Sequence, residues 1–386
     1  MAATGKYGEP CVEHHTAMIY ERGGARRISQ VIDLAGVEWE RVKDGMSTGS
    51  IAITGRSCRA QSEVLNQIKP RRHELVLFRG DERIWEGPII QTTSSSSGFK
   101  ISANDVIEYL DHTPLTKQWP SPAPGEQAIM TERIREIFLY ELQTAHTFTA
   151  QGVEVTVPAW EGLSVPANIV AYLDIREGTT LTRSSTEAFQ MSLGDHLYNL
   201  GRSIGVSYTT VGRRIIVWDG KLGQTRTVTE KDFSGDFEVI ESGADFFNVA
   251  TVVSTNVEEG ESPSVGHATN DLEYYGPWSS PITTSSEDPD ASEPSQTALD
   301  SQARRALSGL YPVPLIMNPA NGTSLITSAG LEIAQLVPGV HVPVRAARNI
   351  RSVSQMQMLT GLRVTESPTG EIISANLEPA GDVIAV

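Results

Sequence analysis

Eight histidines, two cysteines and 47 carboxylates are the groups in this chain able to bind a metal, act as nucleophiles or move protons. The histidines are His14, His15, His73, His112, His146, His196, His267 and His341. None falls in an HxH or HExxH pattern, the spacings that set two imidazoles on one face for zinc. Neighbouring side chains of an extended segment point to opposite faces, so His14 and His15 make a poor pair for one metal. Asp232, Asp236 and Glu238 in EKDFSGDFEV resemble a loose calcium loop, but they lack the ligand order of an EF-hand. A turn with solvated carboxylates is the simpler reading. Glu287, Asp288, Asp290 and Glu293 belong to SSEDPDASEP, where they keep a polar segment soluble. Cys11 and Cys58 are too few for a stapled secreted scaffold and are expected as free thiols. Cys58 has no histidine near it in sequence to act as base. No Walker A motif, no GxGxxG and no GxSxG is read along the chain, so nucleotide hydrolysis and the common serine-hydrolase route are not expected. The expectation is therefore no catalytic residue, no bound cofactor and no metal: the chain is not expected to be an enzyme.

The tryptophans give the next clue. Trp39 and Trp85 lie within alternating runs and are expected in a core. Trp119, Trp160 and Trp218 are scattered. Trp278 sits in YYGPWSSP, an aromatic cluster in a polar loop, which suits a contact surface or a local mini-core equally. Asn321 in NGT matches a glycosylation sequon, but MAATGKYGEP lacks the apolar stretch of a signal peptide, so the match is read as chance.

The elements that hold these residues are mostly short strands. AMIYER and RRISQVIDL flank GGA as a hairpin, VEWERV alternates, SIAITG follows, and ELVLFR and RIWEG flank a Gly-Asp turn. Strands RIWEGPIIQTT and GFKISAND are joined by a serine-rich tip, and Pro88 marks an edge or bulge. Asn104 or Asp105 is placed to cap a short helix in DVIEYLDH. KQWPSPAPGEQ reads as a domain edge. Three helices are expected: Met130 to Ala145 with Thr131 as its cap, Ser192 to Gly205 stopped by Gly205, and Thr297 to Leu310. Between the first two, VEVTVPA and IVAYLDI read as strands. VSYTTV and RIIVWDG form another hairpin. The chain ends in LEIAQLVPGVHVPVRA, MQMLTGLRVTES and EIISANLEPAG, the last two flanking a turn at SPTG. Both ends are β-rich and the middle mixes helices with strands.

The bulk properties agree with a folded soluble chain of two to four domains. It has 386 residues, 39% hydrophobic and 20% charged. Its formal net charge is -16, which disfavours general binding to nucleic acid or an anionic membrane and leaves basic protein surfaces as partners. No window approaches the roughly 18 apolar residues of a membrane span, so no stable membrane association is expected.

The order WERV…TGSIAITG, ELVLFRGDERIWEGPI and GFKISANDVIEYLDHTPL resembles the N-terminal part of minor tail proteins of siphophages, especially those infecting actinobacteria. The family pattern is a strand ending W-x-G, then a strand leading into A-x-D-x-x-x-Y-L; here these are Trp85, Gly87, Ala103, Asp105, Tyr109 and Leu110. TVTEKDFSGDFEV…FNVATVV resembles the family's middle portion and LVPGVHVPV its C-terminal barrel. The family is similar to the baseplate-hub proteins of contractile-tailed phages. The resemblance implies an α+β, β-rich fold: two β-barrel hub domains with α/β domains inserted. The boundaries would be 1–115 for the first barrel, 116–222 for an α/β domain, 223–258 with 322–386 for a discontinuous second barrel, and 259–321 for an inserted loop and helix domain. It further implies a structural protein of the virion tail tip, assembled in the host cytoplasm. There a homotrimer forms a pseudo-sixfold ring that closes the tail tube and contacts the distal tail protein, the tape measure protein and other tip proteins. DNA would only pass through the channel, and an acidic lumen would keep it from sticking. The alternatives are a tail-tip cell-wall hydrolase and a receptor-binding protein.

Overall fold

The computed structural model describes residues 3–120, 128–160, 169–179, 181–182, 186, 188–204, 206–244, 246–254, 262–284, 296–307, 315–319 and 322–383. Gly205, the carboxylates between 287 and 293, and Asn321 lie outside them.

Alternation makes the strands of the first hundred residues. In Leu34–Val42, Val37, Trp39 and Arg41 point inward while Glu38 and Glu40 face outward, as a period of two demands. Ile51 and Ile53 of Thr48–Thr54, and Ile101 and Ala103 of Gly98–Asn104, complete the same buried face. The strand Glu82–Ser94 changes partner halfway. Its first half pairs with His73–Arg79 and its second half with Gly98–Asn104. A register shift between Ile89 and Gln91 follows Pro88, so the missing N–H falls where the ladder is already interrupted. Gly87 is needed there: a Cβ would stand 1.9 Å from the carbonyl of Asn104.

Both β-rich ends belong to one eleven-stranded sheet. Its order, by residues, is 228–229, 341–348, 351–367, 34–42, 48–54, 98–104, 82–94, 73–79, 15–21 and 27–31, with 370–383 added on 351–367. The seam is the antiparallel pairing of Gly361–Glu366 with Val37–Val42. One continuous core, including Ile19, Trp39, Leu77, Trp85, Leu331, Val344 and Leu362, lies under both ends. Among the described residues this sheet does not close on itself, so two closed barrels are not what the strand order gives.

The middle of the chain packs helices Met130–Gln143 and Leu193–Ile204 against the three-stranded sheet of Leu173–Ile175, Arg214–Asp219 and Val206–Val211. Ile134, Phe138, Leu142, Leu193 and Leu197 form the stripe that the helical spacing required. Thr131 is not the cap: it lies buried inside the helix, and Ile129 occupies the cap position. Another small sheet, Val265–Thr269, Val249–Ser254 and Ser279–Thr284, carries helix Gln296–Leu307 through Ala250, Val252, Leu299 and Ala303. Some segments differ from the sequence reading. Gly55–Ala60 and Ser62–Gln67 are short helices between SIAITG and ELVLFR, where no element is expected. LEIAQLVPG forms turns and only His341–Arg348 is a strand; Gly339, at the end of the turns, takes φ 99° where a Cβ would meet the ring of Trp218.

Candidate functional site

Two polar clusters sit where the regions of the chain meet. The first joins the N-terminal strand to the C-terminal hairpin. Glu366, buried at the end of strand Arg351–Ser367, accepts the backbone N–H groups of Glu13 (2.8 Å), His14 (2.8 Å) and His15 (3.1 Å). It also accepts Nδ1 of His14 (2.9 Å) and of His15 (2.6 Å). The adjacent imidazoles, expected on opposite faces, thus converge on one carboxylate, because the chain turns at Glu13 and His14 before the strand begins at His15. Burial alone raises the Glu366 carboxyl; the donors from His15, His14 and Glu13 outweigh it and hold it down to about 2. Arg79 forks onto Glu371 beside it at 2.9 and 2.8 Å.

This cluster contains a histidine–carboxylate pair, the base and its orienter in many hydrolases. His15 cannot act as that base here. The indole Nε1 of Trp39 donates to His15 Nε2 at 3.0 Å. Trp is a donor only, so Nε2 accepts and the proton rests on Nδ1, facing Glu366. The position a nucleophile would take is filled by a buried indole.

The second cluster joins the N-terminal sheet to the middle unit. Arg213, at the turn of the hairpin Val206–Val211/Arg214–Asp219, is buried. Its Nη2 reaches both oxygens of Glu74 at 2.7 Å, and its Nε lies 3.2 Å from Glu86. Tyr109 donates to Glu74, and Arg83 pairs with Glu86. Burial pushes Glu86 up to about 7, with Arg213 and Arg83 opposing and Glu74 adding to the rise. Nearby, Asp105 is fully buried and accepts Ser47 N (2.8 Å), Ser47 Oγ (2.6 Å), Thr210 Oγ1 (2.8 Å) and Ile107 N (2.9 Å). It accepts the first N–H of the short helix Ile107–Asp111, whose cap position is held by Val106 and not by Asn104 or Asp105 as expected, and it ties three segments together. The six residues of the W-x-G and A-x-D-x-x-x-Y-L patterns sit at or beside this joint. Trp85 packs on Gly49 and donates to Ser47, Gly87 permits close approach of Asn104, and Ala103, Tyr109 and Leu110 are buried.

Gly45-Met46-Ser47-Thr48-Gly49 spells GxSxG, a pattern expected to be absent. It is not a nucleophile elbow. Ser47 is buried just before a strand, donates to Asp105 and accepts from Trp85, whereas the elbow exposes its serine between strand and helix.

Arg41 is the residue that alternation misjudged. VEWERV reads as a strand with a solvated charged face, yet Arg41 lies inside. Its guanidinium donates to the carbonyls of Ile333 (2.8 Å), Leu336 (3.3 Å) and Ile84 (2.8 Å) and lies over Trp39. Burial draws its pKa down to about 10. No pattern in the sequence marks it, because its acceptors are backbone carbonyls from distant turns.

The remaining candidates do not converge. Asp232 pairs with Arg226 and accepts the N–H of the cap residue Thr229, Asp236 pairs with Arg348, and Glu238 lies on strand Phe237–Glu241. Cys11 and Cys58 are free thiols, and burial first, then Asp33, raises that of Cys11. His73 and His341 are buried. His112 bonds Glu108 at 3.0 Å, His146 stacks on Tyr140, and His267 is exposed. His196 is buried in the middle unit, and desolvation lowers it to about 4. Among the described residues no group of three His, Cys, Asp or Glu is placed to hold a metal, and no helix is long and apolar enough to cross a membrane. Trp119 and Trp218 are buried with Trp39 and Trp85, and Trp160 bonds Thr113 at 2.5 Å. Trp278 is 60% and Tyr274 78% exposed, while Tyr275 packs on Phe246. YYGPW therefore forms both a small cluster and an exposed surface. Buried Asn248 holds the loop through the carbonyl of Gly276 and the N–H of Trp278, each at 2.9 Å.

No protein family and no curated protein matches the sequence. Solved structures do resemble the fold. A 43 kDa tail protein of prophage MuSo2 from Shewanella oneidensis is 11% identical over 96% of this chain and 100% of its own, with TM-score 0.58. A tail protein from Neisseria meningitidis MC58 is 10% identical over 96% and 98%, with TM-score 0.55. The prophage tail protein gp18 from Listeria monocytogenes EGD-e is 11% identical over 94% of both, with TM-score 0.54. Along nearly its whole length, then, the chain has the fold of solved phage tail proteins.

Proposed function

We propose that this chain is a structural subunit of a phage tail, and specifically the tail-tip hub of a siphophage, acting by assembly rather than by a reaction. The observation that carries the reading is the eleven-stranded sheet built from both chain ends, within a fold shared with tail proteins from end to end. In this reading 1–115 and the pair 223–258 and 322–386 are the two hub domains. They stand edge to edge at the seam 37–42/361–366. The α/β domain covers 116–222, and the insertion 259–321 completes a small sheet begun at Val249. Three copies place six such half-sheets around the tail axis, closing the tube above and meeting the distal tail protein, the tape measure protein and other tip proteins. The net charge of -16 supports a channel that DNA traverses without binding. The buried polar joints support rigidity, since each costs much to open partly. Electron microscopy of intact particles tests this: three copies on the axis at the tip are expected, and any other copy number or an off-axis position overturns it.

A receptor-binding reading has one observation in its favour, the exposed Trp278 and Tyr274 on a loop fixed by Asn248. Loss of host-cell binding by the full chain on Trp278→Ala is the result that would prefer it.

A further inference from the structure

The hairpin His146–Ala150/Val153–Val157 is one of the two-stranded sheets of the molecule and turns at Gln151 and Gly152, both at positive φ. Among the described residues no third strand pairs with either of its edges, and one tie to the rest of the chain is the hydrogen bond between His146 Nε2 and the Tyr140 carbonyl at 2.9 Å. A lone two-stranded ribbon is marginal in water. Its two faces differ. Cross-strand partners share a face, so His146, Phe148, Val155 and Val157 stand together, joined by Val153, while Thr147, Thr149, Glu154 and Thr156 stand opposite. The apolar face is poorly covered: Val153 is 62% and Val155 38% exposed. Its contacts are His146 stacked on Tyr140 and Phe148 against Phe189, with ring centroids 4.7 Å apart.

Phe189 extends that surface into a groove. It is half exposed and holds φ 61°, a backbone region a bulky side chain rarely enters. It also lines an open groove of about 430 Å³, together with Asp111, His112, Met191, Ser192 and Asp195. No lysine or arginine lines it. Asp195 is satisfied by Ser192. Asp111 has no hydrogen-bond or ion-pair partner among the described residues, and burial, with Glu108 and Asp195 close by, raises its carboxyl to about 6. An apolar wall beside an uncompensated carboxylate fits a partner that brings apolar side chains and a cation.

The chain itself carries such a partner surface. Residues 1–115 hold 14 Lys and Arg against 15 Asp and Glu, whereas 116–386 hold 17 against 32. Arg56 and Arg59 on the helix Gly55–Ala60, together with Lys69 and Lys100, are exposed and make no ion pair among the described residues. We propose that the hairpin 146–157 and its acidic groove form the contact by which one copy holds residues 1–115 of the next copy in the ring. The contact is heterologous, one surface meeting a different one, which is the kind that generates rings. The inference rests on the ring reading above and adds the surface that builds it.

The test places a photo-crosslinking benzoylphenylalanine at Val155 in the full chain within assembled particles. A product of twice the chain mass, mapped to residues 1–115 of a second copy, is expected. Combining it with Asp111→Lys and Asp195→Lys should cut that product at least tenfold. A crosslink to a different protein, to another region, or within the same chain overturns the proposal, as does absence of product. Particles that keep three axial copies without this crosslink sink the contact and leave the hub reading standing. Particles with the chain off the axis sink the hub reading by themselves.

Discussion

The two buried polar joints use carboxylates in opposite ways. At the seam between the chain ends, Glu366 is surrounded by donors: three backbone N–H groups and two imidazoles. It stays ionised, held to about 2. At the joint with the middle unit, Glu74 and Glu86 share one buried arginine, Arg213, and Glu86 has only ion-pair contacts whose angles are not those of hydrogen bonds. Its carboxyl rises to about 7. Both side chains are shielded from solvent, but Glu86 is the more deeply desolvated and has fewer well-directed donors, and the two differences together set the sign. The difference teaches which joint opens under which condition, and four experiments can break or sharpen it.

The largest effect is expected from Arg213→Ala. Removing it leaves two buried carboxylates without their shared cation, a loss of roughly 3–5 kcal/mol. The unfolding midpoint in urea reads this at pH 7, and the loss should shrink toward pH 5 as Glu86 takes up a proton. An unchanged midpoint would show that the joint carries no stability. Next comes Glu366→Gln, which keeps the shape but loses charge-assisted acceptance from His14 and His15. A cost of about 2–3 kcal/mol is expected at pH 7, read by the same denaturation.

The third is the pH profile of the wild-type chain. Glu366 has a folded-state pKa below its ordinary 4.5, so its stabilisation is complete above that value and is lost as pH falls from about 4.5 toward 2. Glu86 runs the other way: with its pKa raised from 4.5 to about 7, its contribution worsens as pH rises through that window. Glu366→Gln should therefore flatten the acid limb and leave the 4.5–7 limb unchanged. The smallest effect is Glu86→Gln, expected within about 1 kcal/mol of wild type, because Arg213 keeps Glu74. A loss as large as that of Arg213→Ala would mean the two joints are built alike.

Much of the frame was legible from local patterns. The hairpins at Gly23-Gly24, Gly80 and Gly212 follow from glycines that take positive φ between alternating runs. Helices Met130–Gln143 and Leu193–Ile204 follow from their apolar stripes. Trp85, Gly87, Asp105 and Tyr109 stood out in the sequence as carriers of the family resemblance, but nothing local said that they meet at a joint. Thr131 failed as a cap because tertiary burial took a polar residue that local preference would leave at the end. Ser47 escaped notice because its motif is short and its partner, Asp105, lies 58 residues away.

By itself the sequence determined which segments could be strands or helices, and that the chain would be acidic and without the histidine spacings of a zinc site or the glycine spacings of a nucleotide loop. Those properties depend on neighbours within a few residues. Only the tertiary structure decided that both ends share one sheet, that His14 and His15 meet on Glu366, and that Arg41 lies buried among carbonyls. These depend on partners separated by up to some 350 residues, and backbone acceptors leave no trace in side-chain composition. The strength of a buried charge is set by which donors and acceptors fold around it, so a carboxylate reads the same in the sequence whether its pKa ends near 2 or near 7.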